Sequence, residues 1–203
     1  MKNRYVNRAK ISESKFRDLL RFFSLDLTAI QIAKLTGLNR NTVNRYLTEI
    51  RKKITRFSEL TSPVSVQRPR FEEPGNQSSW SILIKEHETL IYTDTIPGEW
   101  ISNSGKDEIH ILLKRYGFDL LIDLKSNRHY TLLREHGDPA RHRITVNRLE
   151  SFWGSASSRL VKFKGMHSST FRYHLKECEF RFNYRDRDLY PFLLKILRND
   201  PLF

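Results

Sequence analysis

Five polar side chains stand close together between positions 40 and 45 of this 203-residue chain. Arginine donates hydrogen bonds through a planar fork, asparagine both donates and accepts, and threonine offers a hydroxyl group. At the start of a helix such side chains reach the base edges of the major groove, where each base pair presents its own pattern of donors and acceptors. The candidate DNA-binding residues are Arg40, Asn41, Thr42, Asn44 and Arg45.

Two short helical patterns would position these side chains. Thr28 can cap a first helix and Asn39 a second, and Gly37 suits the left-handed turn between them. The pattern predicts a helix-turn-helix, whose alternative is an ordinary helical hairpin with a solvated basic face. The predicted buried positions are Ile30, Ile32, Ala33 and Leu35 in the first helix, and Val43, Tyr46, Leu47 and Ile50 in the second.

Three acidic residues form a second group of candidates. Asp94 lies on a predicted hairpin, Asp123 ends a predicted buried strand, and Glu150 stands beside an apolar stripe near the start of a helix. If they converge, such carboxylates can hold two Mg²⁺ ions, which clamp the attacking and leaving oxygens of a phosphodiester. The alternative is structural, because a first-turn glutamate is favoured by the helix dipole and strand-end aspartates are solvated or cap turns.

The chain is strongly basic, with a formal net charge of +13 that is unevenly distributed. Residues 1–60 hold 14 Lys/Arg against 5 Asp/Glu, residues 61–140 hold 9 against 12, and residues 141–203 hold 13 against 6. Two basic regions around a mildly acidic centre are typical of a protein that grips a polyanion at two places. The helix-turn-helix pattern favours DNA over RNA or a membrane surface as that polyanion.

Cysteine content and hydropathy exclude other classes. Cys178 is the single cysteine, so neither an internal disulfide nor a cysteine zinc site is expected. No apolar run approaches the length of a membrane span, and no apolar signal region follows the basic start. We therefore expect a cytoplasmic protein that does not bind a membrane.

Hydrophobic periodicity indicates a helical beginning, a β-rich middle and a helical end. A support helix around Phe16–Phe23 precedes the predicted helix-turn-helix, and residues 61–79 are predicted to be a linker. A hairpin is expected over 80–96 with its turn at 85–88, followed by a loop at 98–107. Residues 109–116 could be helix or strand. Short strands are expected at 118–123 and 130–133 and helices thereafter, which predicts an α+β or α/β fold.

Three stretches carry motifs in a distinctive order. Residues 1–63 contain the predicted helix-turn-helix, and the predicted hairpin 82–97 contains Lys85 and Tyr-Thr-Asp-Thr-Ile-Pro at 92–97. The region 116–203 contains Asn-Arg-Leu-Glu-Ser-Phe-Trp at 147–153 and Leu-Lys-Glu-Cys-Glu-Phe-Arg-Phe-Asn at 175–183. Together, over about four-fifths of the chain, they resemble the bacterial insertion-sequence transposases of the DDE (Asp-Asp-Glu) type.

The resemblance implies a domain layout. It places an all-α helix-turn-helix domain at 1–60, a linker at 61–79 and a ribonuclease-H-like core with C-terminal helices at 80–203. The core is shorter than the family's, because nothing between positions 64 and 80 resembles the strand that carries the first catalytic aspartate.

The catalytic triad of the family carries over only in part. Glu150 stands at the glutamate of the family's Asn-Gly-Ile-Glu-Ser-Phe-Trp signature, with Arg148 in place of the glycine. Leu113 occupies the place of the second aspartate, and Ser157 that of a lysine usually found after the glutamate. By resemblance Glu150 is the metal ligand, and the catalytic candidates are Glu150, Asp123 and Asp94.

The resemblance leaves two functions open. One is a transposase that binds element ends and cleaves and joins DNA strands with Mg²⁺ or Mn²⁺, although two aspartates are missing. The other is a sequence-specific DNA-binding protein without catalysis, which represses or competes with an intact relative. A third possibility, a transcription regulator with an effector domain, agrees least well with the last third of the chain, which resembles a transposase core.

The expected partners are double-stranded DNA, as terminal inverted repeats and target DNA, and a second copy of the chain in a homodimer. No small-molecule substrate is expected.

Overall fold

The computed structural model describes residues 3–63, 80–132, 139–160 and 168–203. These residues form eight helices and one four-stranded sheet. All strand pairs of the sheet are antiparallel, so the fold is α+β. The elements are α1 (Glu13–Ser24), α2 (Ala29–Thr36), α3 (Arg40–Leu60), β1 (Trp80–His87), β2 (Leu90–Pro97), α4 (Gly98–Asn103), α5 (Lys106–Tyr116), β3 (Leu120–Asp123), β4 (Arg128–Thr131), α6 (Pro139–Leu160), α7 (Ser168–Asn183) and α8 (Leu189–Asn199).

The chain divides into two compact units. The first comprises residues 1–60 and 184–203, and the second comprises residues 61–183. The predicted domain boundaries place all of residues 80–203 in one core. In the structure, α8 instead packs on α1 and α3. Most of the predicted linker, residues 64–79, lies outside the described residues.

Aromatic and ionic contacts explain why α8 joins the first unit. Its buried face carries Leu193 and Leu197. The Phe192 ring meets the Phe57 ring of α3 edge-on, with 5.5 Å between the ring centroids. Asp200, just after α8, accepts from Lys53 Nζ of α3 at 2.5 Å. These contacts are long-range, and the amphipathic pattern of α8 does not specify its partner.

The support helix α1 forms as predicted. Ser12 Oγ accepts from the Lys15 backbone N–H at 3.2 Å, which caps the helix. Its apolar face is fully buried and consists of Phe16, Leu19, Leu20 and Phe23.

The sheet of the second unit has the strand order β2-β1-β3-β4 and carries helices on both faces. Side chains alternate along each strand, so the two faces build separate cores. Ile82 and Ile84 of β1 pack with residues of α6 and α7. Leu83 of β1 and Leu121 of β3 pack with residues of α4 and α5.

The hairpin turn falls later than the sequence pattern indicates. Strand β1 continues to His87, which pairs with Leu90, so the predicted turn residues 85–87 belong to the strand. The turn itself is Glu88-Thr89, with φ of 47° and 70°. Positive φ at both central residues matches the twist of a two-residue hairpin. A turn without glycine or asparagine gives no strong sequence signal.

Two helices occupy residues 98–103 and 106–116. They correct the predicted loop at 98–107 and show that the ambiguous segment 109–116 is helix. In α4, Ile101 is buried against the core that includes Leu83. Helix α5 begins after Gly105, whose backbone N–H donates to Glu108 Oε2 at 3.2 Å. A helix as short as α4 has too few turns to show periodicity, so packing on the strands decides its conformation.

Helix α7 covers the free edge of strand β2 with polar side chains. Asn183 accepts from the Ile91 N–H at 2.8 Å and donates to the Ile91 carbonyl at 2.7 Å. Glu179 Oε2 accepts from both the backbone N–H and the hydroxyl of Thr93, each at 2.7 Å. These contacts satisfy backbone groups that an edge strand otherwise leaves open to pairing with another chain.

Candidate nucleic-acid interface

Three local signals fix the geometry of α2 and α3. Thr28 and Gln31 form a capping box, in which the Thr28 N–H donates to Gln31 Oε1 at 2.8 Å. Gly37 ends α2 with φ 69° and ψ 15°, the left-handed region that glycine enters without steric cost. Asn39 Oδ1 accepts from the Asn41 N–H at 2.8 Å and caps α3. The three predicted signals are confirmed, and a three-residue turn joins the helices.

The predicted buried sides are confirmed for α3 and only in part for α2. In α3, Val43, Tyr46, Leu47 and Ile50 are all buried. In α2, Ile32 is fully buried, whereas Ile30 is 60 % exposed and Leu35 is 58 % exposed. The eight-residue helix is covered by its neighbours on one side only, so its two flanks remain in solvent. The prediction of buried Ile30 and Leu35 is wrong because it did not separate the facing side from the flanks.

The five candidate DNA-binding residues all lie in the first two turns of α3. Arg40, Asn41, Asn44 and Arg45 are exposed and Thr42 is half-buried. Asn41 and Arg45 are four residues apart and therefore lie on one face, opposite the buried Val43 and Leu47. The structure thus presents two side chains that can make bidentate contacts with bases on one exposed stripe.

Residues near the C-terminal end of the described chain complete this surface. The guanidinium carbon of Arg45 lies 4.5 Å from the centroid of the Phe203 ring and 5.9 Å from that of Tyr46. Asp200 forms ion pairs with Lys53 and with Arg56 of α3. Phe203 and Asp200 were not among the predicted site residues. No sequence signal links them to α3, because more than 140 positions separate the partners.

The first unit carries most of the net positive charge. Residues 1–60 and 184–203 hold 18 Lys/Arg against 8 Asp/Glu, a net charge of +10. Residues 61–183 hold 18 against 15, a net charge of +3. Because phosphate attraction dominates the affinity for nucleic acid, this charge favours polyanion binding at the unit that contains α3.

The acidic candidates do not converge in the structure. Leu83 pairs with Asp94 across β1–β2 and with Leu121 across β1–β3, and its side chain faces α4 and α5. Because side chains alternate, Asp94 and Asp123 belong to that same face. Helix α6 packs on the opposite face through Leu149 and Phe152. Glu150, also on α6, is exposed to solvent.

Each aspartate is engaged in a structural contact. Asp123 is buried, and its carboxylate accepts from the Lys125 N–H at 3.0 Å and from the Ser126 N–H at 3.3 Å, which fixes the turn between β3 and β4. Asp94 accepts from the Thr95 N–H at 2.9 Å and lies 3.7 Å from Arg172 Nη2. Among the described residues, no group of three or more His, Cys, Asp or Glu side chains could hold a metal ion. The three residues therefore do not fit a two-metal site.

Comparison with known proteins gives one partial similarity. No protein-family model matches the chain, and no solved structure matches it with significance. The chain is 45% identical over 38 residues to a protein of Haemophilus influenzae described as an uncharacterized transposase-like protein. The match covers 19% of this chain and 31% of that protein, so the chain spans about a third of the relative's length. This similarity supports, weakly, a relation to transposase-like proteins.

Within the described residues, no helix is both long enough and apolar enough to cross a lipid bilayer.

Proposed function

We propose that this protein is a transposase-related protein that binds duplex DNA in a sequence-specific manner, with α3 as the recognition helix of a helix-turn-helix. The observation that carries the proposal is the arrangement of α2 and α3. A capping box, a left-handed glycine and an asparagine cap fix the turn, and Asn41 and Arg45 project from the free face of α3. The net charge of +10 on the same unit supplies attraction to phosphate.

The expected target is a terminal inverted repeat of a mobile element, bound by two copies of the chain. The partial similarity to a transposase-like protein supports this target. Helix-turn-helix dimers bind half-sites that lie about 10 base pairs, or a multiple of this spacing, apart. A selected DNA site should therefore contain an inverted pair of half-sites.

Selection from a random-sequence duplex library tests the proposal and yields the probe. Affinity for the selected duplex is then compared with affinity for a scrambled duplex at fixed salt. Arg45→Ala and Asn41→Ala should each weaken binding to the selected duplex by about 1–3 kcal/mol and leave binding to the scrambled one nearly unchanged.

Arg128→Ala is the matched control for charge. Arg128 is exposed on β4 in the second unit, and its removal changes the net charge by the same amount as Arg45→Ala. It should leave the preference for the selected duplex intact. Equal losses on both duplexes for Arg45→Ala would show that this side chain contacts only phosphate, and a failure to select any duplex would refute the proposal.

Binding rather than strand cleavage is the activity that the geometry favours, because the candidate carboxylates do not converge. A nicking and strand-transfer assay with Mg²⁺ or Mn²⁺ on the selected duplex separates the two activities, with Glu150→Gln as the control. We expect binding without cleavage. Cleavage that disappears in Glu150→Gln would instead establish a metal-dependent transposase site.

A further inference from the structure

Hydrogen bonds hold Leu202 and Phe203 against residues 5–7 within the first unit. The Leu202 N–H donates to the Tyr5 carbonyl, and the Asn7 N–H donates to the Leu202 carbonyl, both at 2.9 Å. Asn7 Nδ2 also donates to the Phe203 carbonyl at 3.0 Å. Leu202 itself is fully buried. The segment 200–203 is therefore held in a defined position and is not a loose tail.

This anchoring places the Phe203 ring against the side chains of Tyr46 and Arg45 on α3. The ring meets the Tyr46 ring edge-on, with 5.6 Å between the centroids and 74° between the planes. Phe203 remains 47% exposed, so the contact with Tyr46 does not bury it completely. The Arg45 guanidinium carbon stands 4.5 Å from the ring centroid, well inside the range of a cation–π contact.

Stacking on an aromatic ring leaves the in-plane donors of a guanidinium group directed outward. Those donors form the fork that contacts guanine O6 and N7. A free arginine side chain must give up much rotamer freedom when it makes such a contact, whereas a stacked one has already lost part of it. The Phe203 ring therefore prepares Arg45 for base recognition before DNA arrives.

We propose that Phe203 is a positioning residue of the DNA-reading surface, which holds the Arg45 guanidinium in the orientation that recognises guanine. This inference rests on the proposed function of α3. The inference makes the segment 200–203 part of the DNA-binding surface. In the sequence, the whole second unit separates this segment from Arg45. The expected ligand feature is a guanine at the position that Arg45 contacts.

The test is a double-mutant cycle in the full chain, with Phe203→Leu as the principal variant. Leucine keeps the apolar contact with Tyr46 but has no aromatic face, and the half-exposed position tolerates it. On the selected duplex, Phe203→Leu should weaken binding about twofold to fivefold, with little change on the scrambled duplex. Phe203→Tyr, which keeps the ring, should bind like the wild type.

The cycle separates positioning from a general effect on the fold. In an Arg45→Ala background, Phe203→Leu should cause no further loss, because the group that the ring positions is absent. An equal loss in both backgrounds would overturn the inference. The inference would also be overturned if the wild type prefers the selected duplex and Phe203→Leu binds that duplex with the same affinity. The proposed function would then remain intact. A wild type without any preference would refute both.

A measurement without DNA checks the contact itself. In the nuclear magnetic resonance spectrum of the free protein, the Arg45 side-chain protons should be shifted upfield by the ring current of Phe203. The shift should persist in Phe203→Tyr and largely disappear in Phe203→Leu. An unchanged Arg45 spectrum in Phe203→Leu would show that the ring does not hold the guanidinium.

Discussion

The two units of this protein use charged side chains in different ways. In the first unit, Arg40 and Arg45 at the start of α3 are exposed. In the second unit, Lys176, Glu177 and Glu179 on α7 are at most 3% exposed. Exposed charge stays hydrated and accessible to an external partner, whereas buried charge must be satisfied within the fold because desolvation is costly. The comparison separates residues that are candidates for binding from residues that hold the sheet unit together.

The buried charges of α7 are paired and hydrogen-bonded. Lys176 Nζ donates to Glu179 Oε2 at 2.7 Å, and the same oxygen accepts from Thr93 of β2. Glu177 Oε1 accepts from Arg159 of α6 at 3.3 Å and from Arg181 at 2.8 Å. These contacts tie α7 to the sheet edge and to α6. They are part of the architecture of the second unit.

The largest expected effect comes from breaking this network. Glu179→Ala should lower the free energy of unfolding of the second unit by about 3–5 kcal/mol, since it leaves Lys176 buried without its partner. All three tryptophans, Trp80, Trp100 and Trp153, lie in the second unit. Urea unfolding followed by tryptophan fluorescence therefore reports this unit selectively.

Glu150→Ala is the matched control for that experiment. Glu150 is exposed on α6 in the same unit, so its replacement should change the free energy of unfolding by no more than about 0.5 kcal/mol. A similar loss of stability in both variants would remove the distinction between buried and exposed charge. Glu150→Ala should also leave binding to the selected duplex unchanged.

Backbone conformation gives a second, smaller contrast between the units. Gly37→Ala should destabilise the α2–α3 turn by about 1–2 kcal/mol, because φ of 69° is unfavourable for a residue with a Cβ atom. Hydrogen exchange should accelerate at the amides of α2 and α3, while the tryptophan-monitored transition stays in place. Gly154→Ala, in α6 with no atom within 4 Å of the added Cβ, should instead stabilise the second unit by about 0.5–1 kcal/mol. If both substitutions destabilise the protein, or both stabilise it, the contrast between the two glycine positions would be wrong.

The effect of pH on the second unit should include a contribution from its buried thiol. Burial raises the pKa of Cys178 to about 11, against an ordinary value of 9.0. The neutral thiol therefore favours the folded state fully below pH 9, and this contribution declines as the pH rises from 9 towards 11. At pH 10 about 1.4 kcal/mol should be lost relative to pH 7. Between pH 7 and pH 10, urea unfolding should show a larger decrease in the free energy of unfolding for the wild type than for Cys178→Ala. Equal decreases would contradict this prediction.

The sequence by itself determined those features that depend on neighbouring residues. Thr28, Gly37 and Asn39 act through contacts within three residues, so the caps and the turn could be predicted together with the exposed face of α3. The support helix α1 followed from its apolar spacing. The mixture of helices and strands followed in the same way, because 3.6-residue and two-residue periods are local properties. The DNA-binding candidates were predicted with them, since all five lie within six positions.

Only the tertiary structure decided which distant elements meet. The amphipathic pattern of α8 could not show that it packs on α1 and α3, and no pattern could place Phe203 on Arg45. Likewise, the sequence offered Asp94, Asp123 and Glu150 as one site, but strand register and alternation assign the aspartates to one face of the sheet and α6 to the other. Local sequence fixes the period and ends of an element, whereas its neighbours are chosen by shape and charge complementarity across the whole chain.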